Sequence, residues 1–205
     1  MYGLVQAGRT WNEELNAHVV SEGFTATPKD PAMYAKNGWN DRDFAAAGFW
    51  VDDCVSIGCR EQLTTLSKSV YAKYKINGLG GVLSVLGVLL ERDRATRMIS
   101  ISQEAFIASV PIRFNLTGAS TVATPLTPGA HLSAADCPTS KDEIEEMENR
   151  PYRELVGSLA WLAFGIRPDI AFAASSLAHF DHNPGCAHWK AAKYVLHYLK
   201  GAKGW

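Results

Sequence analysis

The chain has 205 residues, 47% of them hydrophobic and 20% charged, with 20 Lys and Arg against 21 Asp and Glu. This is globular composition, which excludes a disordered or collagen-like chain, and a net charge of −1 does not announce a strongly basic nucleic-acid binder. The longest apolar run, Val82 to Leu90, is broken by Ser84 and Gly87 and is too short to span a bilayer, so no membrane partner is expected. The opening Met1-Tyr2-Gly3-Leu4 has neither a basic nor an apolar signal region, which leads to an intracellular expectation.

In chain order, Trp11, Leu15 and Val19 recur every four residues and predict a helix from about Arg9 to Glu22, with Gly23 as its stop. Thr27 to Pro31 is a turn-rich connector. Between Asp43 and Gly58 two apolar runs, Phe44 to Val51 and Cys54 to Ile57, flank Asp52-Asp53. They predict a β-hairpin with two carboxylates at its tip. Leu63, Leu66, Val70 and Tyr74 predict an amphipathic helix from Glu61 to Lys75, which Gly78-Leu79-Gly80-Gly81 breaks. A second hairpin is expected from Val82 to Leu90 and Met98 to Ser102. A short helix follows from Gln103 to Val110, and Pro111 should end or kink it.

Residues 117–149 are rich in Thr, Ser, Ala and Pro and read as an exposed connector, with a short acidic helix at the end. Three helices close the chain: Pro151 to Phe164, Pro168 to Phe180 and Ala187 to Lys200. Strands in the first half and helices in the second give an α+β class. The division expected is 1–102, 103–150 and 151–205.

Asp52 and Asp53 carry the chemistry. Adjacent carboxylates repel, a cation relieves the repulsion, and hard oxygen donors select Mg²⁺ or Mn²⁺. The other reading of the same pair is a plain polar turn. Cys54, Cys59, Cys137 and Cys186 fall at no metal-ligand spacing and read as reduced thiols. His179 and His182, with His188 beyond them, read as polar groups of a solvated turn rather than ligands. The acidic run 142–148 reads as a solvated face.

Trp50-Val51-Asp52-Asp53 resembles the Y-V-D-D box of reverse transcriptases. Met1 to Trp11 is similar to the L-Y-G-L-K-Q-A-P-R-A-W segment of copia-type long-terminal-repeat retrotransposons. Further ordered matches are Gly23-Phe24, Asp30-Pro31, Leu79-Gly80, Leu86-Gly87 and Thr124-Pro125-Leu126. Pro151 to Leu159, Arg167 to Ala171, His188 to Lys193 and Tyr198 to Gly201 continue them to the end of the chain. The sequence departs at Val5, Gly8, Gly78, Gly81, Pro111 and Ile166, where the family has other residues.

The resemblance implies part of a right-hand polymerase: a partial palm over 1–102, the start of the thumb and a linker over 103–150, and a helical connection region over 151–205. It implies Mg²⁺ (or Mn²⁺) at Asp52, with Asp53 assisting. Gln6 and Arg9 would lie near the nucleotide and template, and Leu86 and Gly87 would grip the primer end. Lys190, Lys193 and Lys200 would meet the nucleic-acid backbone. The parent reaction is templated addition of deoxynucleotides on an RNA or DNA template–primer.

The family's other metal-binding aspartate lies upstream of the segment matched by Met1 to Trp11, and its ribonuclease H domain downstream. The chain alone is therefore expected to be inactive, with missing Pol segments as partners and a palm-sheet edge left open near Phe49 and Val51. Asp52 and Asp53, as strand neighbours, are expected to point to opposite faces. The alternative is a non-catalytic α+β remnant that binds nucleic acid or protein weakly. A third reading is an interaction module built on the helical half.

Overall fold

The computed structural model describes residues 6–38, 40–51, 53–74, 84–116, 118 and 120–202. They belong to two compact units, Met1–Leu86 and Gly87–Trp205. The first joins two helices to a four-stranded antiparallel sheet and the second is mostly α-helical, so the class is α+β. Among the described residues no helix is long and apolar enough to cross a membrane.

The first unit opens with α1 (Ala7–Ser21), which ends as its sequence predicts. Gly23 takes φ 86°, its N–H donates to the Val20 carbonyl and the Phe24 N–H donates to that of Val19. This is a Schellman closure, and Phe24 is buried behind it. Strands β1 (Thr25–Ala26), β2 (Met33–Lys36), β3 (Ala45–Trp50) and β4 (Asp53–Gly58) form an antiparallel sheet in that order. Helix α2 (Arg60–Tyr74) follows, and the two-residue strand β5 (Ser84–Val85) comes last.

Strands β1 and β2 were not expected; they flank the segment read as a turn, Thr27 to Pro31. Four residues, Met33-Tyr34-Ala35-Lys36, are too few to show an alternation. Tyr34 alone is fully buried there, beside Leu15 and Val19 of α1 and Leu66 and Val70 of α2. On β3 the small Ala45 and Ala47 let the helices approach closely. Space requires a glycine at 58, where the neighbour is backbone, whereas at 48 the neighbour is the Met33 side chain, which can move. A Cβ at Gly48 would lie 2.6 Å from the Met33 sulfur, and one at Gly58 (φ 142°) only 2.3 Å from the Phe44 carbonyl oxygen.

In the second unit β6 (Val88–Asp93) and β7 (Met98–Ser102) form a hairpin, with Leu90 opposite Ile101. Part of the run read as one strand from Val82, residues 82 and 83, lies outside the described residues, and Leu86-Gly87 interrupts the remainder with left-handed backbone. Helix α3 (Glu104–Arg113) runs through Pro111 instead of stopping there. The proline costs one backbone bond late in the helix, but buried Ile107 and Val110 hold that turn in the core.

The connector is mostly exposed, yet Leu126 and Leu132 rest on the core. Ser133 and Asp136 cap a short 3₁₀ turn, Ala134–Asp136. The acidic helix is α4 (Lys141–Glu148), closed by a reciprocal Ser140–Glu143 capping box. Backbone N–H groups of Thr139 and Ser140 hold the Glu143 carboxyl below the usual range. Only Met147 of α4 is buried, so its acids form an exposed face.

Helix α5 (Tyr152–Gly165) begins one residue after Pro151. The helix expected from Pro168 to Phe180 is a 3₁₀ turn, Pro168–Ile170, followed by α6 (Ala171–Ala178). Helix α7 spans Cys186–Gly201. Leu155, Leu159, Leu162, Leu177, Val195 and Leu199 are at the centre of this core.

Candidate functional site

The hairpin of β3 and β4 presents the predicted box. Trp50 pairs with Asp53, Phe49 with Cys54 and Gly48 with Val55. Trp50 and Val51 are 63% and 66% exposed at the tip. Val51 takes φ 52°, a left-handed conformation that strains a β-branched residue and suits the tight connection of a hairpin. Asp52 lies outside the described residues.

Asp53 opens β4, which is an edge of the four-stranded sheet among the described residues. Its carboxylate is exposed, and its Oδ2 accepts from the Leu86 N–H at 3.4 Å. Two segments 33 residues apart that the sequence singled out for the same site are thereby joined. Beside Asp53, burial pushes the Cys54 thiol up to about 11, so it stays protonated and offers no thiolate. The donors here are hard carboxylate oxygens, which suit Mg²⁺ or Mn²⁺ rather than a soft metal. Val51 in the tip and Ile57 on β4 are both exposed. Phe49, by contrast, packs edge-on against Tyr34 at 5.8 Å between ring centres.

Gln6 and Arg9 lie at the start of α1, with their own partners on that helix. The Gln6 carbonyl accepts from the Thr10 N–H at 3.0 Å. The Arg9 Nε donates to Glu13 at 2.8 Å in an exposed ion pair, which holds the guanidinium weakly. Leu86 and Gly87 have φ 51° and 76°, so the turn between β5 and β6 is left-handed at both positions.

The three lysines named from the sequence belong to the second unit, on α7. Lys190 is exposed, and Lys193 and Lys200 are half-buried. Lys193 Nζ lies 5.8 Å from the Trp189 ring centre. His197 is on the same helix, and burial first, then the charges of Lys193 and Lys200, hold its imidazolium below the ordinary range.

The charged core of the second unit escaped sequence reasoning. Arg167 is 1% exposed. Its Nε and Nη2 reach Asp169 at 2.9 and 2.7 Å, and Nη1 donates to the Ala202 carbonyl at 2.8 Å. The Tyr198 hydroxyl adds a bond to Asp169 at 2.9 Å. The R-x-D spacing was the available signal for the pair; nothing local marked its burial. His188 also corrects the reading of solvated histidines. It is fully buried, stacks on Phe180 with 3.9 Å between ring centres, and its Nδ1 accepts from the Gly185 N–H at the start of α7. His179 and His182 are exposed, as expected.

The family model of reverse transcriptase (RNA-dependent DNA polymerase) matches residues 1–128. The chain is 36% identical over 205 residues to a retrovirus-related Pol polyprotein from transposon TNT 1-94 of Nicotiana tabacum, covering 100% of this chain and 15% of that protein. It is 30% identical over 210 residues to the corresponding polyprotein from transposon RE2 of Arabidopsis thaliana, covering 98% of this chain and 13% of that protein. A putative transposon Ty5-1 protein of Saccharomyces cerevisiae is 28% identical over 200 residues, covering 97% of this chain and 62% of that protein. No solved structure matches.

Proposed function

The chain belongs to the reverse transcriptase (RNA-dependent DNA polymerase) family of copia-type Pol polyproteins, and from that membership we propose that its β3–β4 hairpin is the palm hairpin of a Mg²⁺-dependent polymerase acting on an RNA or DNA template–primer. The observation that carries the proposal is the exposed tip, where Trp50 and Val51 lead through Asp52 into the exposed carboxylate of Asp53. Asp52 is the group that would hold Mg²⁺, or Mn²⁺ in its place, with Asp53 beside it assisting. The ion would neutralise charge developing on the transferred phosphate.

The chain's own residues have separate tasks in this reading. The hairpin backbone fixes where the carboxylates stand. Leu86 and Gly87 present turn backbone to the primer end, while Gln6 and Arg9 approach nucleotide and template. Lys190, Lys193 and Lys200 meet phosphates through a salt-sensitive, sequence-blind attraction. The setting is intracellular, with the remaining Pol segments as partners.

Two-metal transfer uses carboxylates converging from more than one strand, so the chain by itself is proposed to bind template–primer without extending it. The test is primer extension by the purified chain, by the chain carrying the family's upstream segment in cis, and by the Asp52→Asn form of each. Extension by the longer chain, abolished by Asp52→Asn, is the expected result. Extension by the 205-residue chain alone would overturn the division of labour, and none in any form would overturn the polymerase reading.

A further inference from the structure

We infer that Asp53 is a positioning residue: its carboxylate holds the Leu86 turn against the hairpin that carries Asp52, leaving the metal to Asp52. The inference rests on the polymerase reading above for its consequence, and on geometry for its substance.

Asp53 is well placed to hold another segment. Its backbone belongs to the β3–β4 ladder, opposite Trp50, so its carboxylate projects from a fixed strand end. The Oδ2 atom accepts from the Leu86 N–H at 3.4 Å.

Leu86 in turn needs holding. It takes φ 51°, a conformation that costs a non-glycine residue energy and persists only where the surroundings enforce it. The strand before it, β5, is two residues long. An acceptor on a neighbouring strand end ties this turn to the β3–β4 hairpin.

The consequence concerns register. Leu86, read as gripping the primer end, and the hairpin read as carrying the metal aspartate are tied together by this bond. The primer 3′ end is then set against Asp52 by Asp53, which acts through the Leu86 backbone. Asp53 needs an acceptor oxygen for this role and does not need a full charge. A metal ligand needs the charge.

The experiment separates the two. Amide hydrogen exchange is measured by NMR on the 205-residue chain and on its Asp53→Asn, Asp53→Ala and Asp53→Ser forms, with the Val55 amide as a reference for the β3–β4 ladder. Leu86 exchange is expected to stay slow in Asp53→Asn and to quicken about three- to tenfold in Asp53→Ala and Asp53→Ser, the range of one net hydrogen bond, with Val55 unchanged. The same four proteins are compared for preference for a recessed 3′ end over a blunt duplex, by fluorescence anisotropy. The preference is expected to survive in Asp53→Asn alone among the variants. Equal Leu86 exchange in all four forms overturns the inference, and so does an Asp53→Asn protein that behaves like Asp53→Ala. Absence of template–primer binding in every form overturns the polymerase reading, while the exchange pattern still decides the role of Asp53.

Discussion

The sheet-bearing unit and the helical unit divide the work unequally. Among the described residues eighteen buried apolar side chains form the core of the helical unit, against eight in the sheet unit, two of which are alanines. The helices close on one another along leucine-rich faces, whereas the sheet ends in an exposed tip at Trp50 and Val51. The lesson is that the residues assigned to chemistry stand on the thinner core, where strain at Val51 and Leu86 is concentrated.

The comparison is broken most severely from the centre of the helical core. Leu159 is fully buried there, and Leu159→Ala is expected to cost about 3–4 kcal/mol. Segment-resolved hydrogen exchange should show protection lost across α3, α5, α6 and α7. Retention of protection in those helices would show that the core repacks around the void.

The buried ion pair comes next. Removing one partner leaves the Ala202 carbonyl and part of the Asp169 carboxylate unpaired, so Arg167→Met is expected to cost about 3 kcal/mol. Arg167→Lys should recover only part of it, since an ammonium cannot reproduce the fork on Asp169. Urea denaturation of the three proteins ranks them. Equal stability of the Lys form and the wild type would show that the two-pronged geometry contributes nothing.

In the sheet unit Gly58→Ala places a Cβ against the Phe44 carbonyl at a left-handed backbone position, at a cost of about 2 kcal/mol. Its effect should appear in the β3 and β4 amides. An unaltered sheet unit would mean that the Phe44 segment yields without cost.

The smallest effect is on pH dependence, and it has two steps. Burial holds the His188 imidazolium below its ordinary range, so the unfolded chain takes up that proton first. Stability of the helical unit should therefore start to fall as pH drops through about 6.5 and level off at the lower folded value. The Asp169 carboxyl is held low by Arg167, then by Tyr198. Its contribution is present above about pH 4 and is lost as pH falls further, through its folded value. In denaturation midpoints against pH, His188→Gln should weaken the first step, the rest of which belongs to His197, and Asp169→Asn should weaken the second. A wild-type profile flat between pH 7 and 5 would contradict the first.

Some of this architecture was legible in the residues. Gly23 after an i, i+4 apolar row stopped α1 where expected, because only a residue tolerant of positive φ closes a Schellman turn cheaply. The hairpin at Asp52 and Asp53 was legible because two apolar runs bracket a polar pair. What escaped notice depended on tertiary partners. Strand β2 pairs with β1 and β3, and no local pattern in four residues announces that. Pro111 stays helical because Ile107 and Val110 are buried on the same turn. Arg167 and His188 are residue types that usually face water, and their burial follows from Asp169 and Ala202 on one side and Gly185 and Phe180 on the other. The bond from Leu86 to Asp53 spans 33 positions and carries no sequence signal.

The account holds that the chemistry belongs to the hairpin tip. The most direct measurement is paramagnetic broadening of backbone amides by added Mn²⁺, compared between the 205-residue chain and its Asp52→Asn form. The account predicts weak binding, with broadening centred on Val51, Asp53 and Leu86 and abolished by Asp52→Asn. Broadening centred on the exposed acids of α4, or unchanged in Asp52→Asn, would contradict it.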